Sequence, residues 1–190
     1  TKEVSRHVVV VDVKGPGASL VVATVLDDRK TAAAGLPSQR TVKATVQPMT
    51  APRLIGEVTS KYGSQAAETL KRLFDAMDSQ GVLARPTATN IQYGLTIDES
   101  SFYPLISFNT AGAWSQPFST LIDLIGDEQF VAHKVRMNGT GVNFYKPTEV
   151  EDPMKRKNGL EPKYADLTGR EAAIAQAIAE TKDSVLALMG

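Results

Sequence analysis

Cysteine is absent from this chain, and histidine occurs only twice, as His7 and His133 near opposite ends. Imidazole and thiolate at close spacing do much of the recognisable work of enzymes: they move protons, attack carbonyls and hold transition metals. Their scarcity excludes a cysteine nucleophile, a disulfide framework and any Cys/His metal spacing. No Gly-x-Ser-x-Gly elbow supports serine hydrolysis. Aromatics are only 6% of residues, so the core is expected to rest on Val, Leu, Ile and Ala. Long apolar runs are missing too. Val8–Val11 is stopped by Asp12, far short of the roughly 20 residues that span a bilayer and short of a signal-peptide core. Thr1 is read as the residue left by removal of an initiator Met. No membrane contact and no secretion by signal peptide are expected, so the location is expected to be cytoplasmic or in an assembled particle.

Charge of one sign is also lacking. The net charge is zero, so bulk attraction to nucleic acid or anionic lipid is not indicated. The distribution is uneven, however. Residues 98–128 carry Asp98, Glu99, Asp123, Asp127 and Glu128 without a Lys or Arg, whereas residues 133–163 carry Lys134, Arg136, Lys146, Lys155, Arg156, Lys157 and Lys163 against fewer acids. An acidic block adjoins a basic one.

What is present is enough for a globular core. Hydrophobic residues make up 42% of 190, which suits one domain or one core with an appendage. His7–Val13 and Ala18–Leu26 flank Lys14-Gly15-Pro16-Gly17 and predict an N-terminal hairpin. Those glycines do not read as a phosphate loop, because the segment feeds a strand and Pro16 lacks an amide donor. Asp27–Gln39 reads as a long loop, and Thr41–Gln47 as a third strand. Pro52 opens a helix carrying Leu54, Ile55, Val58 and Tyr62. Gly63 breaks it, and Ser64 is the expected cap of a second helix with the stripe Ala66, Ala67, Leu70, Leu73, Phe74 and Met77, ended by Gly81. Ile91, Tyr93, Leu95 and Ile97 alternate as a strand, and Phe102–Phe108 forms another, bent or placed at an edge by Pro104. Pro117–Ile125 has helical spacing. Phe130–Met137 and Val142–Lys146 around Asn138-Gly139 predict a second hairpin, and the sequon Asn138-Gly139-Thr140 is read as its turn. Pro147–Pro162 looks like an extended, charged arm, and Asp166–Met189 an amphipathic helix with Leu167, Ile174, Ile178, Val185 and Leu188 on one face.

The expected fold is therefore α+β: a mainly antiparallel, twisted sheet or partial barrel of short strands, helices on one side, and a C-terminal amphipathic helix. The expected organisation is a core over residues 1–146, an arm over 147–163 and a helix over 164–190.

Three functional readings follow. The first is a non-enzymatic assembly subunit that self-associates through the arm and C-terminal helix, such as a coat or tail-type component of a virus or phage particle. Long loops in compact domains are usually functional or disordered, and segregated charge suits head-to-tail contacts; the plain alternative folds the terminal helix back on its own core. The second is a single-stranded nucleic-acid binder. On the expected hairpin Lys134, Arg136, Tyr145 and Lys146 face outward, with Lys155, Arg156 and Lys157 on the arm, so cations for phosphates adjoin a ring for stacking. The plain alternative is a solvated hairpin with a protective charged edge. The third is a metal-dependent nuclease, with Asp12, Asp98 and Glu99 at strand ends holding two Mg²⁺ ions; acids also cap strands without any such role. His7 and His133 read as structural. No cofactor and no small-molecule substrate is evident.

Overall fold

The computed structural model describes residues 7–15, 18–26, 47–98, 101–116, 119–155 and 159–189. The chain divides into two compact units, residues 1–47 and 48–190.

In the first unit, β1 (His7–Gly15) and β2 (Ala18–Leu26) form a two-stranded antiparallel ribbon with Gly15 opposite Ala18 and His7 opposite Leu26. Their β-branched content and the tight Gly/Pro connection favour this pairing. The third strand expected over Thr41–Gln47 lies outside the described residues except for its last position.

The second unit is α+β, as its sequence patterns predict. Helix α1 (Ala51–Tyr62) starts at Thr50, whose hydroxyl accepts from the Arg53 amide at 3.4 Å, with Pro52 in its first turn. Proline there removes an N–H that has no partner in any case. Ahead of it, Met49 is buried and its amide donates to the Thr87 carbonyl at 2.6 Å. Helix α2 (Ser64–Ser79) follows directly, with Gly63 as the shared boundary and Ser64 as its first residue, not its cap.

A four-stranded antiparallel meander comes next: β3 (Leu83–Pro86), β4 (Ile91–Thr96), β5 (Phe102–Phe108) and β6 (Ala113–Ser115), in that spatial order. The sheet is open and not a barrel. The register slips at Tyr93/Gly94. A Cβ at position 94 would overlap the Tyr103 carbonyl, so the bulge brings two backbones closer than any other residue permits.

Helix α3 (Ser119–Gly139) is interrupted by left-handed Gly126 (φ 78°), after which Asp127 and Glu128 begin its second half. Acids there oppose the positive end of the helix dipole. A short turn of 3-10 helix at Pro147–Glu149, then α4 (Tyr164–Leu167) and α5 (Glu171–Met189), complete the unit. Leu54 and Val58, the α2 stripe Leu70, Leu73, Phe74 and Met77, Ile106 and Phe108 of β5, and Ile174, Ile178 and Val185 of α5 are all buried in one core. Phe74 stacks edge-on against Phe108 at 5.3 Å between ring centres and lies 5.5 Å from Tyr93.

The second expected hairpin is not formed. Phe130–Met137 is helical, and Asn138-Gly139 closes α3. Phe130, His133, Lys134 and Met137 are the buried positions, a helical stripe, and Gln129, Ala132, Lys134, Arg136 and Met137 favour a helix by propensity. The C-terminal helix is shorter at its start than expected, because Gly169 (φ 78°) separates α4 from α5. It packs against α2 and α3 of the same chain. The arm also turns back: the Ala113 amide of β6 donates to the Pro162 carbonyl at 3.0 Å, and Pro162 is buried.

Candidate functional site

The polar chemistry of the second unit concentrates where the end of α3 meets residues 140–160. Asn138, at the last turn of α3, organises this region. Its Oδ1 accepts from the amides of Phe144 (3.0 Å) and Tyr145 (2.9 Å), and its Nδ2 donates to the Tyr145 carbonyl (2.8 Å). One side chain thus satisfies backbone groups of two buried residues, as a neighbouring strand would.

One turn earlier, Lys134 is fully buried. Its Nζ donates to the carbonyls of Glu149 (2.9 Å) and Asp152 (2.7 Å) and lies 4.7 Å from the centre of the Phe130 ring. Burial lowers its pKa, and the nearby Asp152 and Glu149 charges oppose that shift. Carbonyls and a ring face replace the water a buried ammonium loses. Lys134→Met, which keeps most of the packing volume, is expected to cost about 1–3 kcal/mol in urea unfolding by removing two charge-assisted hydrogen bonds and leaving each carbonyl with one backbone donor alone. An unchanged midpoint would contradict this role.

Lys134 holds up the rim of a cleft of about 300 Å³ lined by Tyr145, Lys146, Glu149, Met154, Lys155 and Leu160. Lys146 is exposed and pairs loosely with Glu149 at 3.8 Å; Lys155 is exposed on the same cleft. Gly159 closes the wall, with the Phe144 carbonyl against its Cα. Two ammonium groups beside Met154 and Leu160 make a surface suited to an acidic group with an apolar attachment.

Behind the cleft runs a buried line of hydroxyls and one imidazole. Ser115 Oγ lies 2.6 Å from His133 Nε2 and 3.0 Å from the Tyr145 hydroxyl, and His133 Nδ1 lies 3.1 Å from Thr181 Oγ1. Thr181 in turn donates to the Ala177 carbonyl at 2.9 Å. One neutral tautomer satisfies the whole line. Tyr145 donates to Ser115, Ser115 donates to Nε2, and Nδ1–H donates to Thr181; the assignment follows from the network, not from observed hydrogens. Burial, with a smaller contribution from the Arg136 charge, pushes the imidazole pKa down to about 3. Burial also pushes the Tyr145 phenol up.

A serine beside an imidazole resembles a nucleophile and its base. Here both are buried, and the second imidazole nitrogen is held by a threonine instead of a carboxylate. The line ties β6, α3, α5 and the segment after α3 together. Nothing local in sequence could have revealed it, since its members lie 18, 30 and 48 positions apart.

The expected nucleic-acid surface is therefore rearranged. Lys134 is inside, and Tyr145 is buried with its ring edge-on to Phe130 and His133. Arg136 turns to α5, where Nη2 donates to Ser184 at 3.0 Å and Nε lies 3.9 Å from Glu180. The structure brings only Lys146 and Lys155 together at the cleft mouth, and Arg156 and Lys157 lie outside the described residues. These corrections share one cause: a helix places residues 134 and 136 on different sides, where a strand would place them on one.

Of the expected metal-binding acids, Asp12 belongs to the first unit, in register with Val21. Asp98 follows β4 in the second unit and accepts from the Ser101 amide at 2.6 Å. Glu99 lies outside the described residues. Among the described residues no three acids or histidines are grouped so as to hold a metal ion, and no helix is long and apolar enough to cross a membrane.

No protein-family model, curated protein or solved structure matches this chain.

Proposed function

We propose that this chain is a non-enzymatic assembly subunit that self-associates into a larger particle of the coat or tail type. The observation that carries this reading is the β1–β2 ribbon. Two nine-residue strands pair only with each other among the described residues, and an isolated two-stranded hairpin is marginally stable at best in water. Both strands are rich in valine and leucine. A two-stranded ribbon of this composition gains stability when another surface covers it.

The second unit supports the same reading. The hydroxyls and imidazole that resemble catalytic groups are engaged with one another and with carbonyls. At the end of α5, Leu186 (41%), Leu188 (54%) and Met189 (38%) stay exposed, and apolar side chains clustered this way favour contact with another surface.

Sedimentation of the intact chain over a wide concentration range tests the proposal. The expected result is a concentration-dependent rise in mass well beyond one chain, persisting at high salt because the contact is apolar. A single 20.4 kDa species at every concentration would overturn it.

A further inference from the structure

We infer that the last turns of α5, residues 181–189, are an acid-released latch: when His133 takes up a proton they come away from α3, while the rest of the second unit stays folded. Every residue involved belongs to the second unit, so the latch is independent of the assembly reading.

The imidazole is enclosed by four elements. Strand β6 brings Ser115, whose hydroxyl donates to Nε2 at 2.6 Å and also lies 3.2 Å from the Leu105 carbonyl. The segment after α3 brings the Tyr145 phenol, and α5 brings Thr181 Oγ1, 3.1 Å from Nδ1. Helix α3 itself brings Arg136, the charge that bears on the ring among the described residues. The other charged groups nearby turn elsewhere. Lys134 reaches the Glu149 and Asp152 carbonyls, Glu180 lies 3.9 Å from Arg136 Nε, Lys182 donates to the carbonyls of Gln80 and Gly81, and Asp183 lies 3.5 Å from Lys182. A proton on Nε2 therefore stands beside a guanidinium whose own Nη1 is buried without a hydrogen-bond partner.

The hydrogen bonds alone would survive protonation. Nε2 becomes a donor to Ser115 Oγ, the Ser115 hydroxyl turns to the Leu105 carbonyl, and Nδ1–H still donates to Thr181. What a buried imidazolium lacks is water. One neighbour has to open, and the neighbours are held with different firmness. Every residue of β6 pairs with β5, and the Ala113 amide also donates to the Pro162 carbonyl. Tyr145 is fixed by the Asn138 clamp. The first half of α5 is anchored by buried Ile174 and Ile178 and by buried Glu171, which pairs with Arg72 at 2.8 Å. Residues 181–189 have the least. Val185 is their one buried apolar side chain, and Leu186, Leu188 and Met189 are exposed. Segments with few buried apolar contacts open at the lowest cost. The side chains that tie α3 to these turns, His133 to Thr181 and Arg136 to Ser184, are the same two that a proton sets against each other.

Hydrogen exchange of the intact chain, read by mass spectrometry and corrected for the intrinsic pH dependence of amide exchange, tests the latch. His7 is the only other histidine, so few groups besides His133 titrate between pH 7.5 and 5.0. With an imidazole pKa near 6.5 when open and about 3 when closed, the open fraction is expected to rise about 30-fold over that interval. Protection across residues 181–189 is expected to fall by the same factor. Low urea should leave this exchange unchanged, because a small opening exposes little surface. The slower exchange of residues 70–77 in α2 should accelerate with urea, as unfolding of the whole unit does. His133→Gln is expected to abolish the pH dependence at residues 181–189.

Protection there that is the same at both pH values, or that falls equally in His133→Gln, would overturn the latch. So would a loss at residues 181–189 that shares the urea dependence of α2, since one cooperative unfolding would then account for both. The urea comparison uses the unaltered chain and is decisive even if the variant folds poorly.

Discussion

Lowering the pH from 6.5 toward 3 is expected to remove on the order of 5 kcal/mol of folding stability through His133 alone. The imidazole is neutral in the folded chain and has a pKa of about 3, against an ordinary value of 6.5. Between those values the unfolded chain takes up a proton that the folded chain refuses. Stability contributed by this group is therefore complete above pH 6.5, declines by about 1.4 kcal/mol per pH unit below it, and stops declining near the folded value. About 3 kcal/mol of this is lost by pH 4.5, before most carboxylates have titrated, a large share of total stabilities that are typically about 5–15 kcal/mol. Urea unfolding at half-unit pH steps reads the slope. His133→Gln is expected to lower stability at pH 8 yet show a much flatter profile between pH 6.5 and 5, where carboxylates contribute little. Parallel profiles for the two proteins would show that the imidazole is not held neutral by its surroundings.

Asn138→Ala is expected to cost roughly 2–4 kcal/mol, because it strands the Tyr145 N–H, removes the donor to the Tyr145 carbonyl and leaves the Phe144 N–H with the Val142 carbonyl alone, a buried unpaired group being worth about 1–3 kcal/mol. The loss should extend beyond the backbone at 144 and 145. Phe144 and Tyr145 are both buried, and Tyr145 donates into the Ser115–His133 line, so loosening this segment disturbs the surroundings of the imidazole. Asn138→Asp separates the contributions. It keeps acceptors for the two amides but cannot donate to the Tyr145 carbonyl, and it places a negative charge at the unfavourable end of α3. An intermediate midpoint is expected, between those of the wild type and the alanine variant. An alanine variant that unfolds with the wild type would mean that the clamp has no energetic weight.

How much of this was legible depended on whether one period or two fitted the same residues. Helices α1 and α2 were readable because Leu54, Val58, Leu70, Leu73 and Met77 fit a helical spacing and no other, with Pro52, Gly63 and Gly81 marking their ends. Strand β4 was readable for the converse reason: Ile91, Tyr93 and Leu95 alternate. Residues 130–137 satisfied both templates. Val131, His133, Val135 and Met137 alternate, while Phe130, His133, Lys134 and Met137 follow a helix. Asn138-Gly139 then weighed toward a hairpin, although the same pair ends helices.

A buried lysine defeats any reading that sends cations to the surface, and only the carbonyls of Glu149 and Asp152, contributed from later in the chain, explain why Lys134 can be inside. Strands β3 and β6 are four and three residues long, too short for any periodicity to register. The cleft was visible only in part, since Lys146 and Lys155 were expected to act together, but on a surface shared with residues that turn elsewhere.

The stitch between the Met49 amide and the Thr87 carbonyl has a mechanical consequence. A pull on the backbone at residue 48 meets the buried Met49 side chain and this single bond before the first turn of α1. Load therefore reaches the end of β3 before it reaches the helix. A pull would be resisted first by an anchored side chain and one amide, and the helices and sheet behind them would be spared until that fastening gave way.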